Sequence, residues 1–234
     1  MSGRVAFLTA MRMELRPLIK LLGLRQSELG GRTAYAGHLD DTEAVAAVTG
    51  MGPANAAATT DWLLDSTPVD HVLNVGVAGG VSPRFKVRDL VMPELVVDRV
   101  SGESYRHNPL GGHDTAGTML TCTEIELDRA VHAALADDGV IAFDMETAAI
   151  ARVCEARGVP WSVFRALSDH VDDELVDDAV FKLTRLDGST DTAAVVRYVA
   201  RRPWRVPRLA RLGRDTSAAT MRAAKAAIEA VRNC

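Results

Sequence analysis

Three short segments of this 234-residue chain place carboxyl side chains where an apolar run ends. Thr9-Ala10-Met11-Arg12-Met13-Glu14 sets Glu14 just beyond Val5–Thr9. Phe143-Asp144-Met145-Glu146-Thr147-Ala148-Ala149 sets two acids between an apolar run and a helical pattern. Arg165-Ala166-Leu167-Ser168-Asp169 closes another run in serine and aspartate. A carboxyl held at the end of a buried strand can be desolvated, which raises its pKa and suits it to proton transfer near neutral pH. An ionised carboxylate can instead hold hydroxyls or stabilise positive charge. Taken singly, each group has a plain structural explanation. Glu14, Asp144 and Glu146 fit first-turn helix charges favoured by the macrodipole, and Ser168-Asp169 fits a cap. The glycine segments Gly50-Met51-Gly52-Pro53 and Gly76-Val77-Ala78-Gly79-Gly80 match neither a dinucleotide fingerprint nor a P-loop.

Alternating elements must position these groups. Val5–Thr9 reads as a buried strand, and Leu15, Leu18, Ile19 and Leu22 share one face of a following helix. Pro17 is tolerated there only within a first turn. Thr33–His38 and Glu43–Thr49 predict a hairpin around Asp40-Asp41. Gly50–Pro53 is a turn opening a helix over Ala54–Leu64, with proline at its start. Val72–Gly76 predicts a strand that ends in a turn over Gly76–Gly80. Further strands are expected at Leu90–Val100, Thr118–Thr121, Val140–Phe143 and Ser162–Leu167, with helices at Leu127–Leu135 and Met145–Ala156. This order implies an α/β fold: one domain, a central mixed sheet flanked by helices in three layers, and residues 173–234 as a helical C-terminal appendage. Ligands in such sheets gather beyond the carboxyl ends of strands.

Composition narrows the partners. Charged residues make up 25%, hydrophobic ones 47%, and the net charge is −4, which gives no reason to expect nucleic acid. Aromatics at 5% are too few for a base-stacking surface. Cys122, Cys154 and Cys234 form neither a disulfide framework nor a metal-ligand pattern, so a reducing, cytoplasmic location and no metal or cofactor are expected. Val5–Leu8 is too short for a signal-peptide core, and no run reaches the roughly 20 apolar residues that span a bilayer. His107 and His113, in a loop rich in glycine and asparagine, are expected to face solvent rather than a metal.

Together, Asn74–Gly80, Asp144-Met145-Glu146 and Arg165–Asp169, preceded by the segment ending in Glu14, resemble the nucleoside phosphorylase superfamily. That superfamily includes purine nucleoside and uridine phosphorylases and methylthioadenosine/adenosylhomocysteine nucleosidases. The likeness spans roughly residues 5–172 and is nearest the nucleosidase branch. It implies cleavage of a purine nucleoside's C1′–N9 bond, in which positive charge grows on the ribose and negative charge on the base. Asp169, positioned by Ser168, is then the acid beside N7. Glu146 holds the ribose 2′ and 3′ hydroxyls with Met145 packed on the sugar. Glu14 activates water. Gly52 borders the sugar, and Met11 and Ile125 line the base or 5′ pocket; for these three a purely structural role is an equal alternative.

The resemblance leaves hydrolysis and phosphorolysis open. Val77 stands where many members have serine or threonine, which removes a donor to phosphate or water, and a carboxylate at Glu14 repels phosphate. Both features favour hydrolysis. Arg12 and Arg165, if they face the pocket, favour phosphate. A nucleoside-binding protein without turnover is the alternative from another class. A homodimer is implied by resemblance alone. The stretch between the Gly76–Gly80 segment and Asp144 is short for a member of that superfamily; Gly102–Gly117 is polar, and no residue in it is identified as reading the purine edge.

The C-terminal region departs from the pattern. Arg197, Arg201, Arg202, Arg205, Arg208, Arg211 and Arg214 occur with no acid between Thr192 and Arg214, interleaved with Trp204, Val206, Leu209 and Leu212. Two readings stand: an exposed basic helix packed by its apolar side, and peripheral contact with an anionic membrane. With Asp187-Gly188 and Arg201-Arg202-Pro203, this tail resembles hopanoid-associated members acting on adenosylhopane, which implies an open, apolar 5′ pocket.

Overall fold

The strands form where β-branched and other apolar residues run together, and they are buried on both faces. The computed structural model describes residues 3–124, 128–170, 197 and 203–234. β1 (Arg4–Thr9) buries Val5 through Leu8 completely. It lies between β4 (Thr42–Val48) and β5 (His71–Gly80), parallel to both. β11 (Trp161–His170) runs parallel along the other side of β5. The chain ends of β1, β4, β5 and β11 therefore all emerge at one edge.

One flank is an antiparallel meander of β2 (Arg25–Leu29), β3 (Arg32–Leu39) and β4. The expected hairpin turns at Asp40, whose φ of 52° is left-handed; β2 extends it by a polar strand without an apolar signature. The other flank runs from β5 to β10 (Val140–Asp144), β9 (Thr118–Thr121), β7 (Leu95–Asp98) and β8 (Ser104–Tyr105). β6 (Leu90–Val91) pairs with β11. β10 is antiparallel to β5, which makes the sheet mixed, as expected.

Helices cover both faces. α2 (Pro53–Ser66) and α4 (Thr147–Ala156) bury Ala56, Leu63, Ile150 and Cys154 against Leu8, Val72 and Val163. α1 (Arg12–Leu22) and α5 (Val206–Arg232) bury Leu15, Leu18, Ala223 and Ala227 against Phe7, Leu73 and Phe164. α3 (Arg129–Asp137), capped by Asp128, sits beside β10. This is the three-layer α/β/α arrangement. Ile125, Asp187, Gly188, Arg201 and Arg202 lie outside the described residues.

Four local expectations need correction. Gly76–Gly80 is no turn: β5 continues through it, and none of its glycines has a positive φ. Pro17 is the sixth residue of α1, not in its first turn. The missing hydrogen bond is outweighed by burial of Leu15 and Leu18 and by a left-handed Gly23 that closes the helix onto Ile19. α4 begins at Thr147, leaving Met145 and Glu146 ahead of it. His107 is buried, its ring 5.9 Å from Trp161 and its Nε2 bonded to the Pro93 carbonyl at 2.7 Å.

The alanine-rich second half of α5 lets that helix approach the sheet closely. Ala227→Leu inserts a larger side chain there, and it should lower stability by about 1–3 kcal/mol, measured by urea denaturation.

Candidate active site

Arg165 is the largest charged side chain in the interior. It lies on β11 opposite Gly76 of β5 and is 1% exposed. Its Nη2 contacts Asp144 Oδ2 at 2.7 Å and Glu146 Oε2 at 3.4 Å, and its Nη1 lies 3.6 Å from Glu14 Oε1. One guanidinium thus faces three carboxyl groups, brought from β1's end, β10's end and the start of α4. Burial opposes its charge, but Asp144, Glu14 and Glu146 outweigh that and raise its pKa.

Each acid has a distinct local anchor. Glu14 sits in the first turn of α1 and folds back, so that Oε2 accepts from the Met11 N–H at 2.8 Å. Its Oε1 accepts from the Val77 N–H at 2.8 Å, which ties α1 to β5. At 1% exposure it is not the solvated helix charge that its position alone allows. Burial raises its pKa, and Arg165 offsets part of that.

Asp144 caps α4 from three residues before Thr147, accepting from that residue's N–H at 3.0 Å and from its hydroxyl. The Thr121 hydroxyl donates to its other oxygen at 2.7 Å. A carboxylate at a helix N-terminus also meets the positive end of the macrodipole. Glu146, 5% exposed, accepts from the Gly52 N–H at 2.9 Å. Gly52 holds a φ of 90° at the head of α2, a conformation that suits glycine alone. Burial first, and then the charge of Asp144, push the Glu146 carboxyl up to about 7. With Arg165 and Asp144 paired, the cluster holds a proton that moves near neutral pH, so it can serve acid–base work.

Asp169 stands at the end of β11. A bulge at Ser168 shifts the register, so that Leu167 pairs with Ala78 and Asp169 with Gly79. The extra residue turns Asp169 to the opposite pleat face from Arg165 and Leu167. Its Oδ2 lies 3.8 Å from where a Cβ on Gly79 would be, and the Ser168 hydroxyl donates to its Oδ1. Gly76 and Gly79 are three residues apart on β5, or about 10 Å. The Arg165 cluster and Asp169 therefore share one sheet end.

Of the other expected site residues, Met145 is half-buried between Asp144 and Glu146, and Met11 caps α1. Val77 contributes its backbone N–H to Glu14 while its side chain packs against the Phe7–Phe164 core. Arg165 lies beneath the carboxylates rather than at a surface. Arg12 is exposed and lines a cavity of about 530 Å³ with Thr33, Tyr35, Thr49, Gly50 and Asn55. Sequence reasoning left out three contributors: Asp144 as the main partner of Arg165, Thr121 as its hydrogen-bond donor, and Gly76. A Cβ at Gly76 would collide with Glu14 Oε1 and Arg165 Nη1. The Asp-Met-Glu spacing signalled Asp144; nothing in the sequence signals Thr121. Among the described residues no three His, Cys, Asp or Glu side chains are grouped to hold a metal ion.

Comparisons with known proteins show which family the chain resembles. A family model described as the phosphorylase superfamily matches residues 4–116 and 114–201. A 5′-methylthioadenosine/S-adenosylhomocysteine nucleosidase of Geobacillus kaustophilus is 31% identical over 73% of this chain and 86% of its own. An aminodeoxyfutalosine nucleosidase of Helicobacter pylori is 29% identical over 74% and 88%. The crystal structure of the Neisseria meningitidis 5′-methylthioadenosine/S-adenosylhomocysteine nucleosidase with methylthio-immucillin-A superposes with a TM-score of 0.73. It is 21% identical and covers 99% of each chain.

Two outcomes follow from the buried charges. The folded-state pKa of Glu146, about 7, lies above the ordinary 4.5, so the folded chain holds the proton more tightly than the unfolded one. Stability should therefore fall as pH rises from about 4.5 to about 7, and Glu146→Gln should flatten that slope in urea midpoints measured across the range. Gly76→Ala should destabilise by about 3 kcal/mol, because the collision separates Arg165 from Glu14 inside the protein; thermal unfolding measures it.

Proposed function

The chain belongs to the phosphorylase superfamily, and we propose that it is a nucleosidase hydrolysing the N-glycosidic bond of a 5′-substituted adenosine. The observation that carries this reading is the buried cluster of Glu14, Asp144 and Glu146 on Arg165, at the sheet end that also bears Asp169. In the reaction, Asp169 gives its proton to N7 of the departing base. The Ser168 hydroxyl orients it by donating to the oxygen that does not carry the proton. Glu146 binds the ribose hydroxyls with Met145 against the sugar, and its negative charge favours the cationic transition state. Glu14 takes a proton from water as that water attacks C1′, leaving free base and free sugar.

Hydrolysis is favoured over phosphorolysis by the burial of Arg165. Its charge is taken up by three carboxylates, so it is not free to bind phosphate. Burial raises the pKa of Glu14, which makes it a stronger base than an exposed carboxylate. The relatives named for methylthioadenosine, adenosylhomocysteine and aminodeoxyfutalosine support an adenosine-type nucleoside with a variable 5′ group; a lipid-bearing group is the alternative that the resemblance of the C-terminal region implies. The reading includes a homodimer in the cytoplasm, needing no cofactor.

Incubation with a panel of 5′-substituted adenosines, with and without phosphate, tests it. Free adenine and free ribosyl sugar should appear at the same rate in both arms. Asp169→Asn should lower kcat by about 10²–10⁴-fold. Ribose 1-phosphate as the product would establish phosphorolysis instead, and a Glu146→Ala variant of undiminished activity would move the site elsewhere.

A further inference from the structure

The front of α5 is built differently from its back. From Ala219 onward the helix is packed into the core, and the preceding turns continue the same helix out of it. Those turns begin at Val206, 41% exposed, and the single 3₁₀ turn just before them, Pro203–Arg205, carries Trp204, 72% exposed; among the described residues only Leu21 and Val100 are other large exposed hydrophobics. Arg208, Arg211 and Arg214 are exposed on the same stretch. Its single acid is Asp215, which accepts from Arg88 Nε at 3.0 Å and Nη2 at 2.5 Å and lies 3.6 Å from Arg211 Nε. Arg88, Arg211, Arg214 and Asp215 line a cavity of about 450 Å³, with three guanidinium groups to one carboxylate. Two positive charges are left over, in a protein whose net charge is −4.

Arg88 itself is held in a left-handed conformation, φ 76°, which a non-glycine residue rarely adopts. Two backbone hydrogen bonds keep it there: Arg88 N–H to the Leu167 carbonyl at 2.7 Å, and Leu167 N–H to the Asp89 carbonyl at 2.9 Å. Leu167 precedes Asp169 by two residues. The basic corner is thus fixed to the strand end that carries the proposed acid.

We propose that this corner docks on an anionic membrane, with Arg88, Arg211 and Arg214 holding lipid phosphates while Trp204 and Val206 enter the headgroup region. Guanidinium groups bind phosphate oxygens through paired N–H donors. Tryptophan beside arginine is the side-chain pair suited to a polar–apolar boundary. Single-stranded nucleic acid would need several aromatic platforms, and among the described residues this surface has one. Docking here brings the sheet's carboxyl end toward the lipid. That consequence rests on the nucleosidase reading and points to a 5′ substituent presented from a membrane; the docking itself does not rest on it.

Vesicle flotation of the full chain tests the proposal without using activity. The protein should float with phosphatidylcholine vesicles containing phosphatidylglycerol and stay behind with phosphatidylcholine alone. The double variant Arg211→Glu, Arg214→Glu should lose about tenfold or more of the bound fraction. Trp204→Ala should bind several-fold less and become more salt-sensitive. Both variants should keep wild-type melting temperature and cleavage of a soluble nucleoside, which separates lost docking from lost folding. Equal flotation of the charge-reversed variant would overturn the proposal. So would binding to inorganic phosphate, or to a single-stranded oligonucleotide, without binding to vesicles.

Discussion

The site depends on a single guanidinium buried among three carboxyl groups. An isolated charge at Arg165 would cost several kcal/mol to bury, and so would each acid around it. Only their mutual presence makes the arrangement tolerable, and even then the acids outnumber the cation. The surplus is eased by protonation: burial lifts Glu14 above the ordinary carboxyl range, and burial together with the charge of Asp144 lifts Glu146. The same imbalance that strains the interior brings the Glu146 carboxyl up to about 7, where it can exchange a proton near neutral pH. Removing one member would leave the rest uncompensated, so structure and chemistry are tied at this point.

The sheet topology makes the cluster possible. β1, β5 and β11 run parallel and deliver Glu14, Val77 and Asp169 to one edge. β10 runs against β5, pairing Phe143 with Gly79, so its last residue, Asp144, comes back alongside the end of β5 and reaches Arg165 from the other side. That convergence leaves little room for a side chain at two positions of β5. Gly76 is crowded by Glu14 and Arg165, and Gly80 by Leu167 and His170. The glycines are there for close approach rather than for turning.

The last helix combines two roles in one element. Its second half is a run of small residues that completes the core on the face shared with α1, and its first half carries a cationic, partly apolar surface over the end of the sheet. A helix so anchored holds that surface in a defined position relative to β11. The proposed chemistry and the proposed docking surface then sit at one end of the molecule.

Much of this was legible from the residues themselves. Apolar runs such as Val5–Leu8 and the helical spacing of Leu15 and Leu18 determine strand and helix type, because those patterns must bury their apolar faces. The acids proposed for the chemistry could be picked out as well, since each lies at or a few residues beyond the end of a strand. What only the tertiary structure decided is how they are held. A sequence pattern reports which side chains need burial, not which distant charge will meet them. Arg165 could therefore be read as facing substrate when it lies beneath the acids, and Gly76–Gly80 as a turn when neighbouring side chains demand glycine within a strand. The direction of Asp169 was likewise hidden, because it rests on one extra residue at Ser168, and a register shift is a relation between two strands that neither one records.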